Sequence, residues 1–199
     1  MMQKIALLLL AAGASSRMKD HIKQLLPYKD STLLEHAVKN AKSSKVAEVF
    51  VVMGANYDTI LAATTLKKVS IVRNEEWHLG LGSSIAKGVE YIGSLSQNYE
   101  AILIGLADQP LMDATFYNQL ITTYQETKSD CVATNYGSKK GVPALFTKKH
   151  FSVLAGLNQD SGAQKLLIDK NTLSIDSAAK HTDIDTWEDY QWLLNKIAQ

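Results

Sequence analysis

Cysteine, proline and long apolar runs are all scarce in this 199-residue sequence. A lone cysteine, Cys131, permits no intramolecular disulfide and leaves an oxidising compartment without visible use. With only three prolines there is no Pro-rich linker, and no repeat or low-complexity segment breaks the chain. No run approaches the ~20 apolar residues of a membrane span. Charge is balanced, 21 basic against 20 acidic residues, which argues against a nucleic-acid or membrane surface. His21, His36, His78, His150 and His181 show no metal spacing, and HExxH and CxxC are absent. Both standard phosphate strings, G-x-x-x-x-G-K-[ST] and G-x-G-x-x-G, are missing too. The length fits one domain over residues 1–199.

What is present is concentrated near the start. Leu7–Leu10 runs into Ala11-Ala12-Gly13-Ala14-Ser15-Ser16, and the cations Arg17 and Lys23 follow. Residues 1–30 hold five cations against two acids, a local +3. The stretch imitates a secretory signal, with Lys4 as charged region, Ile5–Ala12 as apolar region and Ala12-Gly13-Ala14 as cleavage site. A strand buried on both faces of a parallel sheet reads the same way. We favour the strand and expect a cytoplasmic protein.

Apolar runs alternate with helical patterns thereafter. Strands are expected at Ile5–Leu10, Val49–Met53, Val69–Val72, Ala101–Leu106, Cys131–Thr134, Pro143–Phe146 and Leu173–Ile175. Helices are expected at Thr32–Lys42, Tyr57–Leu66, after Gly80–Ser84 through Leu95, at Ala114–Thr127, Lys148–Ala155 and Ser161–Ile168, and from Thr186. Capping-box patterns open two of them, Thr32 with Glu35 and Ser161 with Gln164. The alternation implies a three-layer α/β fold around a mainly parallel sheet. Such sheets bind ligands at the carboxyl ends of their strands, where Gly13 and Asp108 both fall.

Small side chains from Ala11 to Ser16 let backbone N–H groups approach phosphate oxygens, and Gly13 has access to conformations closed to other residues. Arg17 offers a phosphate fork and Lys23 a compact cation. An ordinary turn with solvated cations is the alternative. Asp108, delivered by an apolar strand and followed by Pro110, suits a Mg²⁺ ion bound to triphosphate, or else caps the next helix. Asp183 and Asp185 share one face if the backbone is extended, and both then reach a metal. Asp185 or Thr186 is a good N-cap for the last helix, and capping is the stronger expectation for one of the two aspartates. Gly82, Ser83 and Ser84 lie in a Gly-rich segment that either binds ligand through its N–H groups or is only a flexible cap. Cys131, Trp77 and Trp187 read as packing residues.

Leu10-Ala-Ala-Gly-Ala-Ser-Ser-Arg-Met18, Lys23-Gln-Leu-Leu-Pro27, Gly80-Leu-Gly-Ser-Ser84, Leu106-Ala-Asp-Gln-Pro110, Gly141-Val-Pro143 and Asp183-Ile-Asp-Thr186 occur in one order. Together they resemble the molybdenum cofactor nucleotidyltransferases, specifically the cytidylyltransferase branch, over about residues 5–190. The resemblance implies a Rossmann-like nucleotidyltransferase fold. It implies that Leu10–Ser16, Arg17, Lys23 and Gly82–Ser84 hold the nucleotide, and that Asp108 holds Mg²⁺ with help from Asp183 or Asp185. Gly141, Pro143, Asp160 and Gly162 would lie toward a pterin. The Leu-Ala-Ala-Gly spelling points by analogy to CTP over GTP.

Three departures stand out. The usual Arg-Met-Gly-x-x-Lys is Arg17-Met-Lys-Asp-His-Ile-Lys23 here, without the glycine and one residue longer. Trp187 replaces a proline, and Gln164 replaces an arginine. The implied reaction is CMP transfer from CTP to the terminal phosphate of molybdopterin, with Arg17, Lys23 and Asp108 as the catalytic residues. Alternatives are a guanylyl- or sugar-phosphate nucleotidyltransferase, and a non-enzymatic carrier of finished cofactor to a molybdoenzyme.

Overall fold

The computed structural model describes residues 4–158, 163–177 and 182–197. In chain order the elements are β1 (Ile5–Ala11), β2 (Pro27–Tyr28), β3 (Ser31–Thr32), α1 (Leu33–Lys42), β4 (Glu48–Met53), α2 (Tyr57–Ala63), β5 (Ser70–Arg73) and α3 (Leu81–Ser94). There follow β6 (Ala101–Leu106), α4 (Ala114–Thr127), β7 (Cys131–Asn135), β8 (Lys140–Thr147), α5 (Phe151–Ala155), α6 (Gln164–Leu167), β9 (Leu173–Asp176) and α7 (Trp187–Ile197).

Among the described residues, seven strands form one sheet in the order β5-β4-β1-β6-β8-β7-β9. Strands β5, β4, β1 and β6 run parallel, β8 is antiparallel to both its neighbours, and β9 is parallel to β7. The four-leucine run is the middle of this sheet. Ile5, Leu7, Leu9 and Ala11 face a core layer shared with α1 and α4, while Ala6, Leu8 and Leu10 face the layer of α3, α5 and α6. Burial on both faces is why the strand shows no polar alternation. A third cluster joins Met18, Leu26, Tyr28 and Leu33 to Ile184, Tyr190 and Leu193 of the last segment. It presses the chain's end onto the long loop after β1.

Local chemistry sets most boundaries. Thr32 caps α1, its hydroxyl accepting from Glu35 N–H while the Glu35 carboxylate accepts from Thr32 N–H. Helix α2 stops at Ala63 instead of Leu66, with Thr64 turning to extended backbone as the β-branched pair Thr64-Thr65 begins. The helix expected from Lys148 starts with a 3-10 turn, Lys148–His150, before α5. Strand β8 begins at Lys140, three residues before Pro143, across an irregular register with β7 that polar Lys140 and Gly141 conceal in the sequence. The described part of the next helix is only Gln164–Leu167, and its expected cap Ser161 lies outside the described residues. Cys131 is buried in β7, where burial pushes its thiol up to about 12 and removes it as a nucleophile.

Helix α3 approaches β1 closely at Gly88, where an added Cβ would lie 2.4 Å from Leu8 Cδ1 and 2.6 Å from Cδ2. Leu8 is fully buried and has no free space to yield. Gly88→Ala is therefore expected to overpack this layer by about 1–3 kcal/mol and lower the melting temperature by about 5 °C. Thermal unfolding followed by circular dichroism checks it, and an unchanged Tm would mean that Leu8 repacks freely.

Candidate active site

Two hydrogen-bonded neighbours deliver the site. Leu10 of β1 pairs in register with Leu106 of β6, and Ala107 N–H donates to Leu10 C=O at 3.0 Å. The loops leaving both carboxyl ends, with Gly13 on one and Asp108 on the other, therefore start side by side. Ile184 N–H donates to the Asp108 carbonyl at 2.9 Å, which brings the 182–186 segment onto the same spot. A cleft of about 510 Å³ opens there, lined by residues 10–14 with Ser16, Lys23, Trp77, Gly80, Ser84, Asp108, Asp183 and Asp185.

The loop after β1 is braced from within by Gln24. Its buried amide donates to the carbonyls of Ala11 and Gly13, each at 3.0 Å, and its oxygen accepts from the Ser15 hydroxyl at 3.2 Å. Ser15 Oγ also accepts from Lys23 N–H at 3.1 Å. The left-handed conformation expected of Gly13 falls on Ser15 instead, at φ 59°. A Cβ at Gly13 would meet nothing within 4 Å, so this glycine contributes open space facing the cleft. The longer Met18–Lys23 segment also keeps a left-handed residue: Lys19, where the resembling family has glycine, sits at φ 56°. That conformation costs a non-glycine residue about 1–2 kcal/mol. Neighbouring contacts hold it. Met18 is fully buried and His21 stacks on Trp187 with ring centroids 4.6 Å apart.

Charge is gathered around one ammonium group. Lys23 Nζ donates to Asp108 Oδ2 at 2.6 Å and to Asp185 Oδ1 at 3.0 Å, and Arg17 donates to Asp185 Oδ2 at 2.8 Å. Burial alone would lower the Lys23 pKa. The charge of Asp108 and the hydrogen bonds that Lys23 donates to both carboxylates outweigh it and hold the pKa above its ordinary value. Arg17 is different, with its side chain 67% exposed, so its ion pair contributes little to stability and remains available to a ligand.

The residues fit a divalent cation. Among the described residues Asp108 Oδ1 is buried and has no hydrogen-bond partner, an acceptor left over beside a concentration of carboxylates. Among the described residues no three acidic, histidine or cysteine side chains converge on one point. Asp108, Asp183 and Asp185 line the cleft, and one or two carboxylates are what Mg²⁺ usually takes when substrate phosphates and water complete its shell. Asp183 lies at the mouth of the cleft, exposed as a residue, and its carboxylate accepts from Gln109 Nε2 at 2.8 Å. Partial burial of that carboxylate, with the like charges of Asp108 and Asp185, raises its pKa.

Neither Asp183 nor Asp185 caps the last helix, contrary to expectation. Thr186 does so, its hydroxyl accepting from Asp189 N–H at 3.2 Å while Asp189 accepts from Thr186 N–H at 2.8 Å. Asp113 likewise caps α4, accepting from Phe116 N–H at 2.9 Å. Asp108 and Asp185 are thereby left to the cleft.

Leu81–Ser84 is not a loop leading into a helix but the first turn of α3. Gly80 precedes it at φ 99°, a backbone open to glycine and strained for other residues. Ser84 lines the cleft; Gly82 and Ser83 lie outside its lining. The hydroxyls of Ser83 and Ser84 accept from the buried Asn74 amide. A second cavity of about 390 Å³ adjoins the first and shares Leu81, Leu106 and Asp183 with it. Gly141 lines it, together with Gln109, Tyr136, Lys139 and Lys140. Pro143 lies in β8 away from that lining, its carbonyl accepting from Thr134. Asp160 and Gly162 lie outside the described residues.

Gln24, Asn74, Gln109 and Tyr136 received no role from sequence reasoning. The available clue was an amide embedded in an apolar or turn segment, as in Gln24-Leu-Leu-Pro27, where burial demands partners.

The MobA-like NTP transferase domain matches the chain over residues 7–174. Nicotine blue oxidoreductase of Paenarthrobacter nicotinovorans is 33% identical over 199 residues, 94% of each chain. Rv0371c from Mycobacterium tuberculosis H37Rv has a similar structure, with a TM-score of 0.83 and 27% identity over 98% of this chain and 99% of that one. A structure of Rv0371c in complex with manganese gives a TM-score of 0.79 at 26% identity, over 97% and 99%. A nucleotidyl transferase from Methanothermobacter thermautotroptrophicus, 22% identical with a TM-score of 0.81 over 98% of both chains, shares the fold.

Proposed function

Because the chain belongs to the family of MobA-like NTP transferase domains, we propose that it transfers CMP from CTP to the terminal phosphate of molybdopterin and releases pyrophosphate. The observation that carries this reading is the Lys23 ammonium held between Asp108 and Asp185 on the wall of a cleft of about 510 Å³. A polyanion can be met there by Lys23, by exposed Arg17, and by N–H groups of the 11–16 loop and the α3 N-terminus.

An oxygen of the acceptor phosphate attacks the α-phosphorus of CTP, that P–O bond forms, and the bond to the bridging α–β oxygen breaks. Pyrophosphate leaves with the electron pair. A phosphate monoester has a second pKa near ~6, so the nucleophile is largely dianionic at neutral pH and needs no general base. This accounts for a site without a histidine or cysteine dyad. The chain's own residues align the two phosphates and neutralise charge on the equatorial and leaving oxygens. Mg²⁺ is the proposed cofactor; bound by Asp108 with Asp183 or Asp185, it would stabilise charge developing on the triphosphate. The manganese complex of Rv0371c supports a divalent cation in a protein of this shape.

The second cavity is the proposed acceptor site, with Gly141 on its wall. Pro143, Asp160 and Gly162 belong to the same proposal through the resemblance alone. The whole chain would be one cytoplasmic transferase domain, serving a molybdoenzyme through its product.

The name of the Paenarthrobacter relative favours a second reading, oxidation or reduction of a heteroaromatic small molecule. Hydride transfer has no need of a lysine clamped by two carboxylates, which is why transfer to phosphate ranks first. Pyrophosphate release, measured across CTP, GTP and a panel of phosphorylated acceptors, separates the readings. Release is expected with CTP plus pterin phosphate. Release with GTP alone or with a sugar phosphate would redirect the specificity, and none with any NTP would favour a carrier or an oxidoreductase.

A further inference from the structure

A chain of polar contacts links the two cavities and serves neither the core nor the phosphate loop. Gln109 is 4% exposed. Its Nε2 donates to Asp183 Oδ1 at 2.8 Å and to the Tyr136 hydroxyl at 3.3 Å. The Tyr136 O–H in turn donates to the Val142 carbonyl, so the amide is anchored to the backbone of β8. The Tyr136 ring lies directly over Gly141, where an added Cβ would come within 2.7 Å of its Cε2. Gly141 thus permits the tyrosine position from which the amide is aimed. Among the described residues the Gln109 oxygen is buried without a hydrogen-bond partner, and in this orientation the amide donates to both Asp183 and Tyr136.

Asp183 needs such a hold. It stands at the cleft mouth beside Asp108 and Asp185, and the cations Lys23 and Arg17 hydrogen-bond those two carboxylates. Among the described residues, the hydrogen bond that Asp183 accepts comes from Gln109. Without it, repulsion by two neighbouring carboxylates and free hydration would carry the Asp183 side chain outward.

We infer that Gln109 is a positioning residue that holds Asp183 on the wall shared by the two cavities, with Tyr136 as its anchor. This makes Asp183 the second carboxylate presented to a divalent cation, rather than Asp185, whose two oxygens accept from Lys23 and Arg17. The inference deepens the proposed transfer reaction and rests on it for its kinetic readout alone. The cation readout is independent of turnover.

The test titrates Mn²⁺ into the full chain, with and without CTP, and follows free Mn²⁺ by electron paramagnetic resonance. Gln109→Leu keeps the volume and loses the donor. The half-saturating Mn²⁺ concentration is expected to rise about tenfold. In turnover, kcat should fall by a similar factor while KM for CTP at saturating metal stays within about twofold. Tyr136→Phe, which loosens the amide without removing it, should shift Mn²⁺ binding in the same direction by a smaller factor. A Gln109→Leu titration superimposable on wild type would overturn the inference, whatever the variant's melting temperature. If Gln109→Leu fails to fold, Tyr136→Phe decides, and unchanged Mn²⁺ binding there overturns it equally. Weakened Mn²⁺ binding in a protein that transfers no nucleotide would uphold the positioning role and remove the transferase reading.

Discussion

Asp108→Ala is expected to abolish turnover while leaving the protein folded. The fold survives because Lys23 keeps a second partner, Asp185, at 3.0 Å, so no buried ammonium is stranded. The backbone contact that docks the last segment, Ile184 N–H to the Asp108 carbonyl, does not involve the deleted side chain. Turnover has no such reserve. Among the described residues Oδ1 of Asp108 is a buried acceptor without a partner, and Oδ2 orients Lys23. Losing both should slow transfer by about 10³-fold or more, the scale seen when preorganised charge stabilisation is removed. Pyrophosphate release together with thermal unfolding checks both halves. Near-wild-type release by a folded Asp108→Ala protein would contradict the assignment.

The reverse deletion should behave differently. Lys23→Met removes the cation but keeps the aliphatic stem, and it leaves Asp108 without a hydrogen-bond partner on either oxygen. Asp185 retains Arg17. The Lys23 side chain is only 12% exposed and that of Asp108 21%, so water compensates poorly, and a loss of about 1–3 kcal/mol is expected. Turnover should fall about 10²–10³-fold because the leaving phosphates lose their cation. The pH dependence follows from the sign of the shift. The folded pKa of Lys23 is raised above 10.5, so its contribution to stability is complete below that ordinary value and fades as pH climbs through the raised one. The stability gap between wild type and variant should therefore stay constant from neutral to mildly alkaline pH and close in strong alkali. Denaturant unfolding at several pH values measures it, and a gap that closes between neutral and mildly alkaline pH would mean another group holds the site.

Asp108 and Lys23 could be singled out from sequence for the same reason that they meet in space. Asp108 lies two residues and Lys23 twelve residues beyond the end of an apolar strand, and the two strands are hydrogen-bonded neighbours at the sheet's centre. The capping box of α1 was legible because its two hydrogen bonds depend on residues three apart in the chain. What escaped depends on choices made in three dimensions. Several residues from Thr182 to Asp189 could have capped α7, and only the folded segment shows Thr186 paired with Asp189 while Asp185 turns to Lys23. Gln24 and Gln109 look like ordinary polar residues until their partners, at 13 and 74 residues' separation, are brought beside them. The missing glycine in the loop after Arg17 put its path in question. Lys19 takes the left-handed conformation itself, held by a buried methionine and a histidine–tryptophan stack.

The same segment ties the loop after β1 to the 182–189 segment, through Arg17 with Asp185 and His21 with Trp187. Residues near the start and near the end thus enclose one cleft. A nucleotide entering it would meet both at once, which fits a site that works by alignment and charge neutralisation.

One measurement addresses the central claim most directly: the fate of the α-phosphorus of labelled CTP. Wild-type protein is incubated with Mg²⁺, labelled CTP and molybdopterin, and the products are separated. The label should appear in a CMP–pterin pyrophosphate, in equimolar amount with released pyrophosphate. Label that remains in CTP, or emerges only as free CMP, would contradict the account.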